Sequence, residues 1–151
     1  MDMDTTQNAV KGASTGQLCV LGLGPGDAAL LTEQARQSIA GASDAFGYFP
    51  YVERLSGLEH LRLHASDNRE ELDRARQALN VAAEGRKVLM LSSGDPGVFA
   101  MASAVFEVLE GASPQEQLRW KAVEVDVQPG ITAMLAAAAR LGAPLGHDFC
   151  T

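Results

Sequence analysis

Positive charge is scarce in this chain: 12 Lys and Arg stand against 19 Asp and Glu, for a formal net charge of −7. No basic stripe runs along it, which excludes a surface built for nucleic acid or for an anionic membrane. Cysteine is equally sparse. The two cysteines, Cys19 and Cys150, lie far apart and form neither a disulfide framework nor a CxxC spacing, so the chain reads as a resident of a reducing, cytoplasmic compartment. No apolar run approaches the roughly 20 residues needed to cross a bilayer. Residues 1–16 are small and polar, lack the apolar segment of a signal peptide and read as a disordered leader. His60, His64 and His147 have no metal-ligand spacing, and Ser92 and Ser93 lack the GxSxG elbow of a serine nucleophile.

What is present suits one globular domain: 151 residues, 46% of them hydrophobic and 21% charged, with room for one core of moderate size. Leu18, Cys19, Val20, Leu21 and Leu23 form a short continuous apolar run, as in a strand buried on both faces. A helix is expected over residues 30–42, with Thr32 as N-cap and Gly41 in a left-handed stop. Residues 44–48 form a weaker strand candidate, overlapping an aromatic segment (Phe46, Tyr48, Phe49, Tyr51) that could be core or a ligand wall. A second helix starts at Asp67 with Glu70 as capping-box partner, carries the stripe Leu72, Ala75, Leu79, Ala82, and stops at Gly85. Its charges (Arg69, Glu70, Glu71, Asp73, Arg74, Arg76) read as a solvated face.

Lys87 to Ser92 is another buried strand. A helix over residues 98–109 follows, with Asp95 as N-cap, Pro96 in its first turn and Gly111 as its stop, and a polar connection leads to Trp120. Residues 123–127 alternate apolar and acidic, as on a strand nearer the sheet edge. Residues 131–141 are alanine-rich and helical, closed by Gly142 and Pro144. Strands alternating with helices define an α/β fold: a mostly parallel open sheet with helices on both faces.

Three turns follow the carboxyl ends of strands, where open parallel sheets bind ligands. They are Gly22-Leu23-Gly24-Pro25-Gly26-Asp27, Ser93-Gly94-Asp95-Pro96-Gly97 and Gln128-Pro129-Gly130-Ile131-Thr132, and they should share one rim. The first invites a dinucleotide reading that fails in detail. Asp27 replaces the third glycine of GxGxxG and would repel phosphate, and Pro25 removes an N–H from the cradle. No GK[ST] ends the loop, so a P-loop is excluded. The loops themselves hold acidic and neutral polar groups with no Lys or Arg, which suits a cationic, hydroxyl-rich ligand. S-adenosylmethionine has those properties and no phosphate.

Taken together, these loops give the chain its resemblance to the tetrapyrrole methylase family. The residues that carry it are Leu18 to Asp27, Gly47-Tyr48 with Tyr51-Val52, Ser92 to Ala102, Gln128 to Ala133, and Leu141 to Cys150. The match covers about residues 17–151. It implies an S-adenosylmethionine-dependent enzyme with ligand sites in a trough between two α/β domains, usually as a homodimer, and these residues match the N-terminal domain only. On that pattern Pro25, Gly94, Asp95, Val98, Phe99, Thr132 and Ala133 face the methyl donor, and Tyr48, Phe49, Pro50 and Tyr51 line the macrocycle side. The last stretch narrows the resemblance to the branch that methylates C17 of precorrin-3B with ring contraction to precorrin-4 in cobalamin biosynthesis.

The resemblance implies little acid–base work by the protein, and His147 and Asp148 are read as loop residues. A polycarboxylate substrate on a net acidic chain requires local cations, for which Arg54 and Arg62 are the candidates. Residues 1–151 alone are expected to have negligible turnover. Three alternatives stand beside this reading. One is a family member acting on another tetrapyrrole, a cobalt-precorrin or uroporphyrinogen III, which product mass and spectrum would separate. Another is a truncated, non-catalytic α/β binding or dimerisation module, which exposed apolar surface and aggregation would favour. The third is a nucleotide-binding oxidoreductase, already weakened by Asp27 and Pro25.

Overall fold

A computed structural model describes residues 15–146; most of the expected leader, and His147, Asp148 and Cys150, lie outside the described residues. Five parallel strands, β1 (Gln17–Gly22), β2 (Asp44–Tyr48), β3 (Arg62–Ser66), β4 (Lys87–Ser92) and β5 (Glu124–Gln128), form one sheet in the order β3-β2-β4-β1-β5. Six helices accompany them: α1 (Glu33–Gly41), α2 (Phe49–Glu53), α3 (Glu71–Ala82), α4 (Met101–Glu110), α5 (Pro114–Trp120) and α6 (Ala133–Leu141). The expected α/β class and edge position of β5 are both found.

Alternation along the central strands divides the core in two. Leu18, Val20, Val88 and Met90 face α3 and α4, where Ala75, Leu79, Val105 and Val108 close over them with Trp120. Cys19, Leu21, Leu89 and Leu91 point the other way, onto Ala35 and Ile39 of α1 and Val52 of α2. Burial is mainly apolar on both sides, so the middles of β1 and β4 read as continuous hydrophobic runs. After β1 the chain crosses toward β2, and after β4 it crosses toward β5, with α1 and α4 on opposite faces. The carboxyl ends of the adjacent strands β1 and β4 are therefore a topological switch point.

Several boundaries differ from the sequence expectation for local reasons. Asp27 accepts the Ala29 N–H at 2.9 Å and makes a short turn over Ala28–Leu30, so α1 begins only after its cap Thr32, whose hydroxyl accepts the Ala35 N–H at 3.1 Å. Gly41 is not a left-handed stop; α1 ends on extended Ala42 instead. Asp67 does not cap α3. Its N–H donates to the Glu70 side chain at 3.2 Å, half of the expected box, and the helix starts after Glu70. In the α3 stripe Leu72 is exposed and Ala78 is buried. Arg74 departs furthest from expectation, being 3% exposed rather than part of a solvated face.

Three elements lack a counterpart in the sequence expectation. Helix α2 starts with Pro50 in its first turn. Helix α5 replaces the polar connection, held by a reciprocal capping box between Ser113 and Glu116, and its Trp120 donates its indole N–H to Asn80 at 3.0 Å. Strand β3 places His64 in a structural role: it stacks on Phe46, with ring centroids 4.1 Å apart, and its Nε2 lies 2.9 Å from the buried Asp44 carboxylate, which Arg86 also pairs at 2.5 Å. Gly142 closes α6 at φ +63°, as expected for a helix stop.

Candidate ligand-binding rim

The three glycine-rich turns meet at the switch point and are stitched together. The Gly24 N–H donates to the Gly94 carbonyl at 3.1 Å and the Gly94 N–H returns to the Gly24 carbonyl at 3.0 Å, a two-residue antiparallel bridge joining the β1 and β4 loops. Asp95 brings in the third. One of its carboxylate oxygens accepts the Gly97 N–H at 2.8 Å and the other accepts the Gly130 N–H at 3.0 Å. The expectation that Asp95 caps the next helix is thus corrected. It forms a local turn and anchors the β5 loop, while α4 begins at Met101 behind a residue, Phe99, held at φ +50°.

Glycine is required here by contact as much as by conformation. A Cβ on Gly130 would stand 2.1 Å from the Gly94 carbonyl oxygen, and one on Gly22 would stand 2.7 Å from both that oxygen and the Gly130 nitrogen. Gly94 itself sits at φ +58°, where side chains with a Cβ are disfavoured. Backbone therefore packs on backbone across all three loops.

Above this junction lies an open cleft of about 330 Å³. Gly94, Val98, Phe99 and Ala133, all expected at the methyl donor, line it together with Tyr51, expected on the macrocycle side. Phe99 is 91% exposed. An aromatic ring in the open on a left-handed backbone is a strained arrangement of the kind found at ligand sites. Pro25 and Ala133 border an adjoining groove between the first loop and α6. Asp95 and Thr132 support the rim from behind, Thr132 as the cap of α6 through the Leu135 N–H at 3.2 Å. Tyr48 sits edge-on to Tyr51 and to Phe49, with centroids 5.5 and 6.5 Å away. Phe49 and Pro50 are exposed on α2, and neither they nor Tyr48 line the cleft.

The electrostatics correct one expectation. The loops contain no cation, but the fold brings two to the rim: Arg54 donates to the Leu23 carbonyl at 2.8 Å, and Arg140 of α6 reaches the Asp27 carboxylate at 3.5 Å. Arg62 begins β3, at the opposite end of the strands from the rim, and takes no part in the site. Sequence reasoning missed Arg74, whose buried guanidinium lines the cleft beside Glu71 and Asn68. Its signal was available in hindsight: Arg74 follows Glu71 by three positions and precedes Ala78 by four, on the helix face that carries the apolar stripe. Cys19 is no nucleophile, since burial pushes its thiol up to about 12.

The family model for tetrapyrrole (corrin/porphyrin) methylases matches residues 17–151. The chain is 56% identical over 136 residues to a precorrin-3B C(17)-methyltransferase from Sinorhizobium sp., covering 90% of this chain and 52% of that protein. It is 48% identical over 135 residues to the cobalamin biosynthesis protein CobIJ of Mycobacterium tuberculosis, covering 89% of this chain and 25% of that protein. Among solved structures, the methyltransferase CobJ superposes with a TM-score of 0.81 at 58% identity, over 89% of this chain and 54% of that one. A uroporphyrin-III C-methyl transferase from Thermus thermophilus, complexed with S-adenosyl homocysteine, superposes with a TM-score of 0.64 at 29% identity, over 88% of this chain and 54% of that one. The chain thus spans about half or less of the length of these relatives. With a family match across nearly all of its length, the chain belongs to the tetrapyrrole (corrin/porphyrin) methylases.

Proposed function

We propose that the full-length protein transfers a methyl group from S-adenosylmethionine to C17 of precorrin-3B, with ring contraction that extrudes C20 from the macrocycle as an acetyl substituent retained on the product, giving precorrin-4 in cobalamin biosynthesis. It acts as a homodimer in the cytoplasm. The observation that carries this reading is the 56% identity to the Sinorhizobium C(17)-methyltransferase across a rim whose three loops touch backbone to backbone.

The rim fits the donor chemically. Its first loop contains a proline without an N–H and a carboxylate at Asp27 paired to Arg140, an arrangement poor for phosphate and compatible with a sulfonium and ribose hydroxyls. The donor, when bound, supplies the electrophilic methyl group. The chain supplies position: Gly94, Val98, Phe99 and Ala133 wall the donor side and Pro25 borders it. Asp95 and Thr132 fix the loops against each other. Tyr51, with Tyr48, Phe49 and Pro50 beside it, forms the macrocycle side, and Arg54 stands at the first loop as a cation for the substrate. Holding nucleophilic carbon and methyl group at near-attack distance accounts for much of the acceleration such a displacement needs.

The test is anaerobic incubation of the full-length protein with precorrin-3B and S-adenosylmethionine, read by mass and absorption spectrum. One added methyl group and the spectrum of the ring-contracted product are expected. Methylation of uroporphyrinogen III instead, or of another precorrin carbon, would replace this assignment with a different member of the family.

A further inference from the structure

Arg74 is a buried cation without a counter-ion. It is 3% exposed, its Nε donates to the Ser66 hydroxyl at 2.8 Å, and one Nη donates to the Asp67 carbonyl at 2.5 Å. The other Nη has only the Met101 sulfur, at 3.5 Å, a weak acceptor. These bonds use three of the five N–H groups of a guanidinium. Among the described residues no carboxylate lies within ion-pair distance of it, although Asp44, Asp73, Glu116 and Asp27 all find cationic partners. A charge taken out of water normally requires a paired opposite charge. Burial draws the guanidinium below its ordinary value, and the negative charges of Glu71 and Glu70 act against that shift from a distance.

The location of this unpaired charge matters. Arg74 lines the cleft that also contains Tyr51, Ser92, Ser93 and Phe99, on the side of the aromatic cluster. Glu71, which is exposed, lines the same cleft. A planar, pre-oriented guanidinium fixed by Ser66 and Asp67 is suited to a carboxylate, which it grips through two parallel N–H groups. The geometry points to Arg74 as a carboxylate receptor in the cleft, binding one acidic side chain of the tetrapyrrole acceptor and so fixing which way the macrocycle lies. This rests on the acceptor being a tetrapyrrole acid, as proposed above, and it makes Arg74 a positioning residue for the reacting carbon.

The test is fluorescence titration of the full-length protein with uroporphyrin III as free acid and as its neutral methyl ester, with S-adenosylhomocysteine binding measured alongside. Arg74→Gln is expected to weaken the free acid on the order of tenfold or more, to leave the ester within about twofold, and to leave S-adenosylhomocysteine within about twofold. Arg74→Lys keeps the charge without the fork and is expected to fall between. Unchanged acid affinity overturns the proposal. Equal loss of acid and ester also overturns it, because that reports shape rather than charge, and loss of S-adenosylhomocysteine alone overturns it by moving the carboxylate to the donor. If Arg74→Gln does not fold, Arg74→Lys decides: an acid-over-ester preference equal to wild type refutes the receptor. Wild-type protein that binds S-adenosylhomocysteine but neither porphyrin form would instead remove the tetrapyrrole reading on which the receptor depends.

Discussion

Replacing Gly130 with alanine is the sharpest perturbation of the rim. The new methyl carbon would lie 2.1 Å from the Gly94 carbonyl oxygen and 3.0 Å from the Gly22 Cα, so the β5 loop must retreat by roughly 1 Å from atoms that are already close-packed. That movement stretches the Gly130 N–H bond to the Asp95 carboxylate, now 3.0 Å, and strains the paired Gly24–Gly94 bonds of 3.1 and 3.0 Å. A hydrogen bond to a charged group contributes about 1.5–3 kcal/mol and a neutral one about 1. Gly130→Ala is therefore expected to destabilise by about 2–4 kcal/mol, read as a lower urea midpoint. It is also expected to weaken S-adenosylhomocysteine at least about tenfold, since loop spacing defines the donor wall. Gly41→Ala is the control, because a Cβ there meets nothing within 4 Å; it should stabilise by about 0.5 kcal/mol. A Gly130→Ala protein as stable as wild type, with undiminished affinity, would refute the stitched-loop account.

Two further expectations follow from titratable groups. With its thiol raised to about 12 by burial, Cys19 should resist alkylation at pH 8 in native protein and react once urea is added; rapid native labelling of the peptide containing Cys19 would contradict the buried position. Glu116 is held below the ordinary carboxylate range, first by the Ser113 N–H and then by the Ser113 hydroxyl. A depressed native carboxylate stabilises above its unfolded value and loses that contribution as pH falls through the native one. Loss of the α5 cap is therefore expected at acid pH, and Glu116→Gln, which removes the titrating carboxylate, should flatten that part of the pH–stability curve; an identical curve would exclude the capping role.

The α/β class and every strand but β3 were legible, β1 and β4 most clearly because they are buried on both faces and rich in Val, Leu and Met. Glycines and caps then punctuated the helices. Other positions misled because side chains that looked like caps or surface charges were committed elsewhere. Asp95 resembles a helix start from its place before Pro96, yet its carboxylate bridges to Gly130, 35 residues on, which no local pattern encodes. Arg74 was assigned to a charged surface by its neighbours, whereas Ser66, Asp67 and Met101 bury its head group. The cations of the rim come from α2's end and from α6, outside the loops they serve. By contrast, Ser113-Pro114 with Glu116 was a readable start signal for α5, and the alternation of residues 62–66 was a readable strand. Of the residues singled out in the sequence, Gly94, Val98, Phe99, Ala133 and Tyr51 line one cleft, whereas Pro25, Asp95, Thr132, Tyr48, Phe49 and Pro50 do not.

The central claim is that the three stitched loops form a methyl-donor site rather than a dinucleotide site. Calorimetric titration of the full-length protein with S-adenosylhomocysteine and, separately, with NAD tests it most directly, with Asp95→Ala as the variant and its thermal unfolding as the fold control. The account predicts heat with S-adenosylhomocysteine alone, lost in an Asp95→Ala protein that still unfolds cooperatively. Heat with NAD, or S-adenosylhomocysteine binding indifferent to the loss of Asp95, would contradict it.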